Sequence, residues 1–285
     1  MLHPSTLQLL RFHFSLFLLP VYLFALSCVP AINWNDALHC FFILHVLVYP
    51  SSNGYNSYMD KDETPIGGLK HPMQPTKELF YVTVVMDVLA ILASLFISPA
   101  FAAGVLLYIL ASRAYSYRGI RLKRFAVAGF LTVFLFQGLL PFLCTYHAAH
   151  PQHTMAVPLL PCVTSSLLIG ASYPLTQIYQ HEQDRQDGVI TLSYKLGKRG
   201  TFVFSMGLFL LATASMFWVW QRQVNYFFLF LLCMLPVVLF FLAWMRAVWQ
   251  NGAAADFKNS LRMNLVSTTC MLIYFSTLLI LKHVE

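Results

Sequence analysis

The sequence predicts an all-α integral membrane protein of nine transmembrane helices, arranged as two four-helix units plus a ninth helix. Three observations carry this. Hydrophobic residues make up 58% of the 285 residues and charged residues only 10%, against about 25% charged in an ordinary soluble domain. No Asp, Glu, Lys or Arg occurs between Arg124 and Glu182, which leaves room for two spans of about 20 residues each. Once the spans are drawn, the lysines and arginines fall almost wholly on alternate connections.

The first span is expected over Phe12–Pro30, directly after Arg11. The N-terminus shows neither the short charged region nor the small-residue cleavage site of a signal peptide. The second span, Ala37–Ser52, runs into a polar segment containing the first acidic cluster. The third and fourth, Leu79–Ser98 and Pro99–Ser112, meet at Ser98-Pro99, a tight turn in which proline starts a helix it could not have continued. Phe125–Thr145 and Val157–Tyr179 fill the uncharged stretch. Thr201–Trp220, Val224–Met245 and Met263–Leu281 complete the set. The whole chain, residues 1–285, is read as a single transmembrane unit.

With the N-terminus inside, inner segments hold 16 of the 18 lysines and arginines, and only Arg222 and Lys282 lie outside. The positive-inside rule therefore places the N-terminus in the cytoplasm and the C-terminus outside, in the inner membrane if the source is bacterial. The net charge of +7 reflects this topology; no basic-aromatic pattern of a nucleic-acid binder occurs. The six cysteines lie apart in or near apolar segments, without a CxxC pair, and are read as small packing residues.

Six of the 11 carboxylate side chains gather in two short stretches, Asn53–Glu63 and Gln180–Gly188. Each closes a long apolar segment, and four spans separate them, which suggests a duplicated layout. Asn53, Asn56 and Asp60 follow one another at helical-turn spacing, as do Gln180, Asp184 and Asp187 if the sixth helix continues. Carboxylate and amide oxygens suit a hard divalent cation bridging to a phosphorylated ligand. Solvated helix ends are the plainer alternative. Between the fourth and fifth spans, Arg113, Arg118, Arg121, Lys123 and Arg124 form a basic loop, either topological or a diphosphate clamp. Lys195 and Lys198 follow the second cluster. Asp87 lies inside the third span, where an acid is costly and either lines a polar pocket or pairs between helices. His147, His150 and His153 are spaced by three, but Pro151 interrupts them.

The pattern resembles the UbiA superfamily of intramembrane prenyltransferases over nearly the whole chain. The matching residues are Asn53-Gly54-Tyr55 with Asp60–Gly68, Tyr173–Gln177 through Glu182–Arg185, then Gly188, Thr191-Leu192 and Leu196-Gly197. Tyr115-Ser116 and Leu122-Lys123-Arg124 are similar to the family's basic loop with altered spacing. The first motif departs from the family's N-D-x-x-D-x-x-x-D: Gly54, Ser57 and Lys61 stand where aspartates are usual, and the acids are Asp60, Asp62 and Glu63. In the second motif Gln180 replaces the first acid. The family's usual arrangement of two magnesium ions therefore meets fewer carboxylates here.

The resemblance implies magnesium-dependent transfer of an isoprenyl group from an allylic prenyl diphosphate to a hydrophobic acceptor, often aromatic, within the bilayer. It assigns metal binding to Asn53, Asn56, Asp60, Asp62, Glu63, Asp184 and Asp187, with Asp60, Asp62 and Asp184 as the catalytic acids. It assigns diphosphate binding to Arg118, Lys123, Arg124 and Lys195. Tyr173, Tyr179 and Asp87 are expected at the allylic-cation or substrate pocket. The competing reading is a non-catalytic binding protein or transporter for an anionic isoprenoid lipid.

Overall fold

The computed structural model describes residues 2–284, and among them every regular element is a helix. In chain order these are α1 (Pro4–Leu10), α2 (Leu19–Cys28), α3 (Trp34–Phe42), α4 (Tyr49–Asp60), α5 (Lys77–Ser94), α6 (Pro99–Ser116) and α7 (Ala126–Val133). There follow α8 (Leu140–Ala149), α9 (Leu159–Gln177), α10 (His181–Gln186), α11 (Leu192–Val219), α12 (Val224–Gln250) and α13 (Phe257–Val284).

Several of these join end to end. A tight 3-10 stretch, Phe12–Leu18, links α1 to α2, and π-helical segments Ile43–Val48 and Phe134–Leu139 link α3 to α4 and α7 to α8. Both π segments end just before a proline, Pro50 and Pro141. A proline ring lacks the N–H and pushes away the carbonyl four residues back, so the preceding turn widens. Ser98 caps α6 by accepting the Phe101 N–H at 3.0 Å, with Pro99 at the first helical position.

Every expected span lies on helix. Among the described residues, six helical runs are long and apolar enough to cross a membrane: Pro4–Cys28, Ala126–Ala149, Leu159–Gln177, Leu192–Val219, Val224–Gln250 and Phe257–Lys282. The α3–α4 run, α5 and α6 do not meet that measure. They carry the polar residues Asn53, Asn56, Asp60, Asp87 and Arg113. Leu231, Leu232, Leu235 and Leu239 on α12 and Val85, Val88 and Leu92 on α5 are exposed, a face suited to lipid tails.

Two expectations about helix ends change. The first helix begins at Pro4, and Arg11, placed before the span, breaks it in the left-handed region at φ 47°. The sixth helix does not continue through the second acidic cluster. It stops at Gln177, turns through Ile178–Gln180, and restarts as the short α10. Gly197 (φ 67°) similarly breaks α11 near its start.

The core is apolar and aromatic: Phe24 stacks on Phe275 at 4.7 Å and meets Phe142 edge-on at 5.1 Å. Gly138 allows the second π segment to touch α9, since a Cβ there would lie 2.4 Å from the Ser166 Cα. Close helix contact through small residues is how membrane bundles gain packing without a hydrophobic driving force.

Candidate functional site

At the end of the bundle where α4, α6 and α9 terminate, a cavity of about 200 Å³ opens between the two acidic clusters. Its wall includes Asn53, Asn56 and Asp60 from one face of α4, Asp62 from the loop, and Gln180, Asp184 and Asp187 around α10. Deeper in the bundle a second, more apolar chamber of about 180 Å³ is lined by Leu18, Val21, Phe24, Leu168, Met271 and Phe275, among others. The two chambers share Phe14, Ser52, Asn53, Tyr108, Gln137 and Tyr173 as common walls. The outcome is a charged mouth that adjoins an apolar chamber across these shared side chains.

Charge at the mouth is organised across helices. Lys123 Nζ contacts the Asp60 carboxylate directly, and Arg121 Nη2 lies 3.5 Å from its other oxygen. Arg121 also contacts the Asp187 carboxylate and donates to the Asp187 backbone carbonyl at 3.0 Å. Arg118, half exposed, donates to the Met59 carbonyl at 2.8 Å and lies 3.8 Å from Asp187. Arg11 is buried, donates to the Gly67 and Asn53 carbonyls at 3.1 and 3.2 Å, and lines the cavity. Its helix-breaking backbone is what turns it there.

Asp62 and Asp184 are different. Asp62 accepts the Gln183 amide at 3.1 Å; the Asp184 carboxylate makes no hydrogen bond or ion pair among the described residues, its backbone bonding Gln180 and Val189. Burial pushes Asp62 up to about 6, helped by the neighbouring Asp60 charge. Burial also pushes Asp184 up to about 7, with Lys123 opposing and Asp62 and Asp60 reinforcing the rise. Neither carboxylate has an ion pair among the described residues, and the nearby Lys123, with Arg11 at Asp62, does not outweigh burial. Gln177 and Gln183 each leave a buried amide oxygen without a hydrogen-bond partner.

Among the described residues no group of three or more His, Cys, Asp or Glu converges as a complete cation site. A hard divalent ion such as magnesium, however, takes one or two carboxylates and completes its shell with water and ligand phosphates. Asp62, Asp184 and the free oxygen of Gln183 fit that requirement.

Below the charged mouth, Tyr115 and Tyr173 hydroxyls hydrogen-bond each other, and Gln177 donates to Tyr173 at 2.8 Å. Asn56 donates to Ser116 at 3.0 Å and Ser52 pairs with Ser112 at 2.6 Å, tying α4 to α6.

Several expected site residues do not line this cavity. Glu63 is exposed in an adjoining groove whose wall also includes Asp60, Asp62, Gln183 and Asp187, and Tyr179 lines the same groove edge-on to Phe257 at 5.3 Å. Arg124 lies over the Phe125 ring at 4.6 Å and shares a shallow external groove with Lys195. Asp87 does not face the cavity: Arg113 Nε donates to it at 2.9 Å and the Ser51 hydroxyl at 2.6 Å, an ion pair between helices. Of the histidine run, His147 bonds Ser98 at 2.7 Å and His153 bonds Asp36 at 3.0 Å, holding loops at the opposite end.

Sequence reasoning missed Arg11, which it counted only as a topological charge, and did not single out Arg121 among five neighbouring cations. Only Leu122 and Lys123 separate Arg121 from Arg124, but the left-handed backbone at Arg121 (φ 51°) turns the first inward. Nothing in the order of residues marks that turn.

A sequence profile of the UbiA prenyltransferase family matches residues 16–267. No curated protein matches the chain. Among solved structures, one described as giving insight into digeranylgeranylglyceryl phosphate synthase in membranes is 19% identical, with 95% of this chain and 96% of that one covered and a TM-score of 0.63. A UbiA homologue from Archaeoglobus fulgidus bound to DMAPP and Mg2+ is 16% identical over 96% of this chain and 98% of its own, TM-score 0.71. The same homologue bound to GPP and Mg2+ is 16% identical over 96% and 99%, TM-score 0.70. At these identities the likeness is one of fold.

Proposed function

Because the chain belongs to the UbiA prenyltransferase family and is thus a membrane prenyltransferase, we propose that it moves an isoprenyl group from an allylic diphosphate to a hydrophobic acceptor, with magnesium at the donor site. The observation that carries this is a charged mouth set directly against an apolar chamber, with side chains common to both. A prenyl diphosphate has the same two ends. The Archaeoglobus homologue holds such donors together with Mg2+. The expected orientation puts the mouth on the cytoplasmic side, with all nine helical runs crossing the bilayer.

Asp62, Asp184 and the Gln183 oxygen are the groups to hold magnesium, which when bound neutralises diphosphate oxygens and makes the diphosphate a better leaving group. Lys123, Arg121 and Arg11 add fixed positive charge around the same space. The C–O bond breaks with its electron pair leaving on the diphosphate. Aromatic faces at Tyr173 and Tyr115 lie where the apolar chamber begins and stabilise the allylic cation. Phe24, Leu168 and Phe275 surround the tail and keep water from capturing the cation. The acceptor then bonds to the allylic carbon and loses a proton.

The test is thermal stabilisation of the purified protein by farnesyl and geranylgeranyl diphosphate, with and without magnesium. Ligand at 100 times its dissociation constant adds about 2.7 kcal/mol. Stabilisation that requires magnesium, and that is lost in Asp62→Asn and Asp184→Asn, supports the reading; no stabilisation of the wild type refutes it. A lipid carrier without chemistry has one observation in its favour, the neutralisation of Asp60 and Asp187 by basic side chains. Release of pyrophosphate distinguishes the enzyme from the carrier.

A further inference from the structure

We infer that Arg121 and Lys123 are fixed counter-cations standing in the place of a divalent ion between Asp60 and Asp187, so that this chain binds its diphosphate with a single divalent ion at Asp62 and Asp184. The inference rests on the reading above and deepens it.

The geometry is specific. The Asp60 side chain is 6% exposed, and both its oxygens face cations: Lys123, 12% exposed, on one and Arg121, 9% exposed, on the other. The same guanidinium reaches across the mouth to the carboxylate and backbone carbonyl of Asp187. The two acidic clusters are therefore already joined, Asp60 and Asp187 to Arg121 and Lys123, with the half-exposed Arg118 a further 3.8 Å neighbour of Asp187. The basic loop is locked in this position. Arg121 adopts its left-handed conformation, the Arg124 N–H closes a turn onto the Arg121 carbonyl at 3.0 Å, and the Ile190 N–H bonds the Arg124 carbonyl at 3.2 Å.

A divalent ion entering between Asp60 and Asp187 would have to displace two largely buried cations and leave them facing it. Uncompensated buried charge is strongly unfavourable. No ion pair stands in the way at Asp62 and Asp184: Asp62 accepts only the amide of Gln183, and the Asp184 carboxylate has no hydrogen-bond or ion-pair partner among the described residues. Gly54, Ser57 and Gln180 supply no carboxylate to a further ion. The positive charge that stabilises a departing diphosphate thus comes from two sources, one exchangeable and one built into the loop after α6. Arg121 and Lys123 then act on the diphosphate as permanent partners.

The experiment counts Mn2+ bound to the full chain in nanodiscs by electron paramagnetic resonance, at saturating geranyl thiolodiphosphate, an unreactive donor analogue. One ion per chain is expected. Asp184→Asn is expected to lose it and Asp187→Asn to keep it. In the double variant Arg121→Gln/Lys123→Gln a second ion is expected, as Asp60 and Asp187 become free to ligate. Two ions in the wild type, or none while the analogue is bound, overturns the inference and leaves donor binding intact. Failure of the analogue to bind with Mn2+ present overturns the proposed function as well. If the double variant does not fold, the wild-type count and the two single variants decide.

Discussion

Asp184→Asn should make the protein more stable at neutral pH while removing its response to magnesium. Burial raises Asp184 from the ordinary 3.8 to about 7, so the fold favours the protonated form. The sign follows directly. The unfolded chain holds the proton less tightly than the folded one, so this group's contribution is fully present below about pH 4 and is lost as pH rises to about 7. At 1.36 kcal/mol per pH unit the full interval corresponds to about 4 kcal/mol. Water at the open mouth screens the site and reduces this to about 2 kcal/mol. Asparagine is uncharged at every pH and keeps the shape. In EDTA, the variant should therefore match the wild type near pH 4 and exceed it by about 2 kcal/mol at pH 8, read from melting curves across that range. Added magnesium with a prenyl diphosphate should raise the wild type alone. A variant curve parallel to the wild type between pH 5 and 8, or lying below it at pH 8, refutes the argument that burial outweighs the nearby Lys123 charge at Asp184.

Two further outcomes follow from particular contacts. Gly138→Val should destabilise the bundle by about 3 kcal/mol or more, because its Cβ would fall 2.4 Å from the Ser166 backbone where neither helix has room to yield; denaturant unfolding in detergent measures it. Arg11→Gln should weaken geranyl diphosphate binding by about tenfold, the loss of one charge-assisted contact, whereas Glu63→Gln, outside the cavity, should shift it by less than about twofold; titration calorimetry compares them.

The helices and their order were legible because hydropathy and the placement of basic residues are local properties of the chain. Asn53, Asn56 and Asp60 were legible as one face for the same reason: α4 is regular, and residues three and four apart stay together. The second cluster reaches the cavity by another route. Gln180 lies in a turn after α9 and Asp187 ends α10, so residues expected on one continuous helix converge through a broken one. What stayed hidden depends on partners distant in sequence. Asp87 reads equally as a pocket acid or a helix-pairing residue until Arg113, 26 residues away on the adjoining helix, is found on it.

The displaced first motif is the clearest case of such distant dependence. Read alone, the glycine, serine and lysine at positions 54, 57 and 61 describe a site short of carboxylates. In three dimensions Gly54 packs against α1 and α5, where a Cβ would lie 2.9 to 3.1 Å from side-chain methyls of Thr83, Leu10 and Leu79, which would have to shift. Lys61, left-handed at φ 55°, ends α4 and releases the chain so that Asp62 enters the mouth. The loss of acids on α4 coincides with two cations 60 residues later that turn inward onto the acids remaining. Departure from the motif and inward turn of the basic loop are two sides of one electrostatic balance. Ser57 itself is buried and lies outside the cavity wall formed by Asn53, Asn56 and Asp60, so an aspartate at position 57 should destabilise the fold as a buried carboxylate rather than create a new ion site.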